Sequence, residues 1–212
     1  MSRCKVHLAS ASSRRYEWLK VRLDGESVDF SAAALHSAEQ QPQSGLDVRT
    51  QVQKILASKV EAAKIEIAIQ EIGEVDIPDF ILLADTLVED PDDLQQSLGQ
   101  PIDRTSAAGM LLRLSGRRHN VWSGTALLIR KGSSWEEKSS VEHATVEINQ
   151  LTDGQFGELL DSKSWLGKAG AYDLAGEMGN YANLISGSEV CVLGFAPSII
   201  EELLQLYLIE RK

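Results

Sequence analysis

Cysteine is nearly absent from this chain of 212 residues: Cys4 and Cys191 stand at opposite ends, outside any CxxC or Cys/His spacing. That excludes a disulfide framework and a zinc site, and leaves both as reduced thiols of the core. Long apolar runs are missing as well. No stretch approaches the roughly 18–20 residues a membrane helix needs. Basic residues are outnumbered, 21 Lys and Arg against 31 Asp and Glu, for a net charge of −10. That excludes a general duplex-binding surface, which needs clustered cations. It leaves room for a local pocket of cations on an acidic protein, or for an acidic pocket holding Mg²⁺. Met1–Lys5 passes directly into a strand-like segment without a signal-peptide apolar region, so the expected location is cytoplasmic.

The common catalytic signatures are also lacking. Gly167-Lys168 is followed by Ala169 rather than Ser or Thr, so there is no Walker A motif, and no GxSxG elbow or HExxH helix occurs. His7, His36, His119 and His143 lie far apart with no ligand spacing, which assigns them structural or surface roles.

What is present alternates between the two structural periods. Residues 5–9 read as a first strand, 14–23 as a helix and 28–32 as a second strand. Residues 36–46 form a polar loop with Pro42 and Gly45. The longest helical pattern covers 47–72, where Lys59 shares the inward face with Ile55 and Leu56. A Lys there either snorkels at the core margin or points into a site. Phe80-Ile81-Leu82-Leu83-Ala84 has the continuous apolar character of a strand covered on both faces. It runs into Asp85-Thr86, where the Asp is either a ligand-facing residue at a strand end or a turn and cap residue. Glu89–Asp93 reads as an acidic loop around Pro91. A helix at 104–114, two long strands at 118–130 and 139–148, a helix at 152–160, an irregular Gly-rich stretch at 167–179 and a last helix at 198–209 follow. No repeat or low-complexity linker interrupts this order. The pattern predicts one α/β unit.

Four dispersed blocks carry the chemistry. They are Leu8-Ala9-Ser10-Ala11-Ser12-Ser13-Arg14-Arg15; Ala84-Asp85-Thr86-Leu87-Val88; Leu98-Gly99-Gln100-Pro101 with Met110–Val121, including Leu114-Ser115-Gly116-Arg117; and Lys168-Ala169-Gly170-Ala171-Tyr172. Their order and wording resemble the Maf family of septum-formation-like nucleotide pyrophosphatases, from about residue 6 to about residue 198.

The resemblance implies a single domain over 1–212 with the inosine-triphosphatase-like α/β fold, a mixed twisted sheet flanked by helices with a central cleft. It implies hydrolysis of a nucleoside triphosphate to the monophosphate and pyrophosphate with a divalent metal, Mg²⁺ or Mn²⁺. Asp-Thr in the second block is similar to the members acting on dTTP and UTP, and a homodimer is the family expectation. Carried over residue by residue, Ser10, Arg14, Lys59 and Lys168 would contact the phosphates. Asp85 would be the catalytic carboxylate, activating water or holding metal, and Glu39, placed by counting from Phe30, would be a second metal ligand. Arg15 is expected to face solvent or to pair with an acidic neighbour.

This chain departs from the family pattern at three places. Ser13 stands where relatives have Pro, Gln100 where they usually have Lys, and Ala175 where they often have Gln. The loss of one phosphate cation and one substrate-orienting amide raises an alternative reading, a nucleotide-binding or regulatory protein with weakened turnover. A purely structural α/β domain is the third.

Overall fold

A computed structural model describes residues 4–23, 28–38, 40–73 and 77–209, with side chains described to Leu206. Strand β1 (Cys4–Leu8) leads through a short turn into helix α1 (Ser13–Arg22), whose N-cap is Ser12. Strand β2 (Val28–Ala32) and the long helix α2 (Val48–Ile72) follow. Strand β3 (Phe80–Asp90) turns sharply into β4 (Asp93–Leu98), and helix α3 (Arg104–Leu114) precedes the hairpin of β5 (Arg118–Lys131) and β6 (Ser134–Ile148). Helix α4 (Asp153–Asp161), two 3₁₀ turns at Ala169–Ala171 and Glu177–Asn180, β7 (Ala182–Ser186), α5 (Glu189–Leu193) and α6 (Pro197–Ile209) complete the described chain.

The strands form one mixed seven-stranded sheet in the order β2-β1-β3-β5-β6-β7, with β4 paired to the far end of β3. The pairs β1–β2 and β1–β3 are parallel, and all others are antiparallel. The expected α/β class with helices on both faces is therefore the fold.

Strand β3 shows why its apolar run is continuous. Phe80, Leu82 and Ala84 pack with Val6, Leu8, Phe195, Ile199 and Leu203 on the face covered by α1 and α6. Ile81 and Leu83 pack with Leu56, Val60, Ala63 and Leu128 on the face covered by α2. Both sets alternate along one strand, so neither face can be polar. Each of the Val, Leu, Ile and Phe side chains removed from water contributes about 1.5–3 kcal/mol.

Helix starts follow their caps. Asp103 accepts from Ser106 N while Ser106 Oγ accepts from Asp103 N, a reciprocal box that starts α3 at Arg104. Asp47 caps α2 through Thr50 N.

Several boundaries differ from the sequence expectation. Glu89 and Asp90 belong to β3, and only Pro91-Asp92 turns. Glu89 is buried because Asn120 Nδ2 and Trp122 Nε1 donate to its two oxygens at 2.9 and 2.8 Å. Strand β6 begins five residues earlier than expected, and β4, β7 and α5 were not anticipated. Strand β4 is largely exposed and β7 exposed in part, so neither carries a strong apolar alternation.

Among the described residues, no helix is long and apolar enough to cross a membrane.

Candidate active site

The site opens where β1 stops. Strand β1 pairs with β3 only over Val6–Leu8 and Phe80–Leu82, closing with Ala9 N donating to Leu82 O at 2.8 Å. The chain then turns through Ser10-Ala11-Ser12 into α1, while β3 continues alongside β5 alone until β4 joins it at Val88. Carbonyls two residues apart on a strand face the same edge. Ala84 O therefore points where β1 would have been, and among the described residues no strand supplies its partner.

Two cations supply it instead. Arg15 Nη1 and Lys59 Nζ each donate to Ala84 O at 3.3 Å. Lys59, from the middle of α2, also donates to Asp85 Oδ1 at 2.9 Å, with both side chains nearly buried. Lys59 thus points into the site and does not snorkel. Asp85 lies inside β3 and not at a strand end. Its position still behaves like one, because the parallel partner has already left. The other carboxylate oxygen, Asp85 Oδ2, is buried without a hydrogen-bond partner among the described residues.

Arg15 corrects the expectation of a solvent-facing side chain. Nε donates to Gly194 O at 2.9 Å, Nη1 also to Ser10 Oγ at 3.3 Å, and Nη2 to Thr86 Oγ1 at 2.9 Å. The guanidinium lies 5.9 Å from the centre of the Phe195 ring. Gly194, at φ 122°, makes the approach possible: a Cβ there would lie 2.7 Å from Arg15 Nε. Thr86 Oγ1 shares a hydrogen bond of 2.8 Å with Ser123 Oγ, which donates to Cys191 O at 2.7 Å. Burial pushes the Cys191 thiol up to about 12, so it stays protonated.

Arg14 faces the other way. Its Nη1 donates to Asp173 Oδ1 at 3.3 Å, and its Nε is buried without a hydrogen-bond partner among the described residues. Lys168 Nζ lies 3.7 Å from Asp173 Oδ2. The segment that carries Lys168 returns to β3 through Gly170, whose φ is 68° and whose missing side chain lets it sit against Val88. Behind it, Tyr172 Oη and His119 Nε2 share a hydrogen bond of 2.8 Å in the core, and burial lowers the His119 pKa to about 4. His119 is thus structural, as expected.

Ser10, Arg14, Lys59, Asp85 and Lys168 all line one cleft of about 470 Å³, together with Arg15, Thr86 and Gln100. The five come from four separate segments. Glu39 lies outside the described residues.

No cluster of three or more His, Cys, Asp or Glu able to hold a metal occurs among the described residues. A single carboxylate with a buried free oxygen nevertheless suits a divalent cation that takes its remaining ligands from phosphate and water. Asp173 and Arg15 escaped the sequence reading. The signal for Asp173 was its place directly after the fourth block. Arg15 carried no signal that separates it from a surface Arg of a first helical turn.

Comparison with known proteins identifies relatives along almost the whole chain. A family model described as Maf-like protein matches residues 5–207. A dTTP/UTP pyrophosphatase of Clostridium novyi (strain NT) is 31% identical over 190 residues, covering 90% of this chain and 91% of its own. One from Acetivibrio thermocellus is 31% identical over 202 residues, 95% and 94% of the two chains. One from Myxococcus xanthus is 33% identical over 187 residues, 88% and 84%.

Proposed function

Because the chain belongs to the Maf family, we propose that it is a nucleoside triphosphate pyrophosphatase that converts a pyrimidine triphosphate, dTTP or UTP, to the monophosphate and pyrophosphate. The observation that carries this reading is the convergence of Arg14, Lys59 and Lys168 with Asp85 on one cleft. A triphosphate carries several negative charges and needs such convergent donors. Relatives named for action on dTTP and UTP cover most of the chain.

In this mechanism Arg14, Lys168 and the Ser10 hydroxyl hold the phosphate chain. Lys59 holds Asp85 by Oδ1 and adds positive charge beside the phosphorus. Asp85 accepts a proton from the attacking water through Oδ2. The water oxygen bonds to the α-phosphorus, and the bond to the bridging oxygen breaks, so that pyrophosphate leaves. Such displacement depends on positioning and charge neutralisation more than on covalent help. Asp85 would hold a divalent cation, Mg²⁺ or Mn²⁺, which would supply further charge neutralisation at the transferring phosphorus. Glu39 is the second carboxylate proposed for it. The same reading places the protein in the cytoplasm as a homodimer of a single domain spanning 1–212, a state that light scattering tests.

The deciding experiment is a screen of nucleoside triphosphates with Mg²⁺ and with Mn²⁺, scoring both phosphate products. Pyrophosphate release, strongest from dTTP or UTP, is expected. Orthophosphate release contradicts the reaction. No product, with thermal stabilisation by nucleotide, favours the binding-protein alternative.

A further inference from the structure

Asp173 is an acid that the chemistry above does not use. Its two oxygens are divided between two cations, Oδ1 to Arg14 Nη1 at 3.3 Å and Oδ2 to Lys168 Nζ at 3.7 Å. The carboxylate is itself held. Oδ1 also accepts from Ala175 N at 3.2 Å, and its carbonyl accepts from Gly176 N at 3.1 Å. All three side chains are about four-fifths buried, with 20%, 19% and 19% exposure for Arg14, Asp173 and Lys168. Arg14 and Lys168 line the cleft, and Asp173 does not.

We propose that Asp173 is a positioning residue for substrate phosphate, setting Arg14 and Lys168 side by side in the cleft wall. The proposal rests on the pyrophosphatase reading. Arg14 comes from the first turn of α1 and Lys168 from the loop after α4, so no single element fixes one against the other. Two neighbouring cations repel, and in a partly buried wall the repulsion is weakly screened. A carboxylate behind both offsets it and gives each a fixed anchor. The anchor is economical in donors. It takes only Nη1 of Arg14 and leaves Nε, which has no hydrogen-bond partner among the described residues, on the edge that pairs a phosphate by two hydrogen bonds. It takes one contact from the Lys168 ammonium, which has three donors.

The rival role is that of an internal anion competing with substrate for the same cations. It fits the geometry poorly. Asp173 stands outside the cleft, and neither cation must release it to take a phosphate.

Asp173→Asn keeps the acceptor for Ala175 N and removes the charge. Asp173→Ser keeps a turn-forming hydroxyl, should the Asn variant fail to fold. Asp173→Glu restores the charge. Two readouts apply: kcat and KM for pyrophosphate release from dTTP, and calorimetric binding of sodium tripolyphosphate.

In Asp173→Asn both KM and the tripolyphosphate Kd should rise about ten-fold, with kcat within about three-fold of wild type, and Glu should recover part of the loss. A merely structural residue would lower stability without that split. Tripolyphosphate binding that is unchanged or tighter in a folded, uncharged variant overturns the proposal. If the wild-type protein releases no pyrophosphate from any nucleotide, the pyrophosphatase reading fails alone, because tripolyphosphate binding still decides the role of Asp173.

Discussion

Over Phe80–Leu82, strand β3 has a strand on each side, β1 and β5; over Leu83–Leu87 it has β5 alone. In the first half the backbone is satisfied by the ladder and the side chains are apolar on both faces. In the second half the Ala84 carbonyl is left over, and the chain fills the place of the missing strand with Arg15 and Lys59. A buried carbonyl left without a partner costs about 1–3 kcal/mol, so the two cations stabilise the fold as well as charging the cleft. The comparison shows how one strand serves core and chemistry. Ending a neighbouring strand early creates an acceptor, the acceptor fixes cations, and the cations stand beside Asp85.

The sharpest way to break this comparison is Asp85→Asn. Shape is kept and the charge on Oδ2 is lost, so pyrophosphate release should fall by about 10²–10⁴-fold while tripolyphosphate binding persists. On sequence grounds alone, the change could be expected to raise stability by relieving repulsion among acids. The structure reverses that expectation, because the partner of Asp85 is Lys59 at 2.9 Å. Removing the charge weakens the hydrogen-bonded ion pair that Asp85 makes with a nearly buried ammonium and should lower stability by about 1–3 kcal/mol. Near wild-type turnover in Asp85→Asn would refute the mechanism.

Arg15→Ala attacks the other cation on the same carbonyl. It strips donors from Gly194 O, Ser10 Oγ, Ala84 O and Thr86 Oγ1 at once. A loss of about 3 kcal/mol is expected, about 6–12 °C in Tm for a chain of this size. Arg15→Lys keeps charge without the planar fork and should recover little of it. A Lys variant that melts with wild type would show that charge alone holds the fork.

The core behind the cleft has its own sensitivity. His119, on β5, is buried neutral with its pKa lowered to about 4 from 6.5. The unfolded chain therefore binds a proton that the folded chain refuses between those values. Stability from this residue is fully present above about pH 6.5 and falls as pH drops towards 4. The loss should reach about 2–3 kcal/mol at pH 4.5. Denaturant titrations at pH 6.5, 5.5 and 4.5 measure it. His119→Gln, which does not titrate, should remove that slope, and an unchanged slope would assign acid sensitivity elsewhere.

Legibility in sequence follows the same division. The run Phe80–Ala84 announced itself because both faces are buried, and α3 because Asp103 and Ser106 form a local cap. Lys59, by contrast, admitted two readings until Asp85 stood beside it. Arg15 was misread because its acceptors lie on β3, in the turn after β1 and at Gly194, contacts that no local pattern encodes. Glu89 looked like loop polarity because Asn120 and Trp122, which satisfy it, lie on another strand.

Gln100 offers the smallest and most selective change. It is exposed, lines the cleft, and sits beside Gly99, whose carbonyl accepts from Gly170 N at 3.1 Å, so position 100 adjoins the segment that carries Lys168. A Lys at this position, as in the family pattern, would add a mobile cation facing substrate phosphate. It would also stand near Lys168, whose charge Asp173 already offsets in part. Exposure favours attraction over that repulsion, because the ammonium can stay hydrated until substrate arrives. Gln100→Lys should therefore lower KM for dTTP by about 3–10-fold, leave kcat nearly unchanged, and steepen the loss of affinity with added salt. If the gain appears in kcat instead, position 100 acts on the transition state, and the cleft of this chain lacks a catalytic cation and not merely a binding one. If neither constant moves, the triphosphate does not pass this side of the cleft, and its path must run along Lys59 and Asp85 on the half of β3 that β1 leaves open.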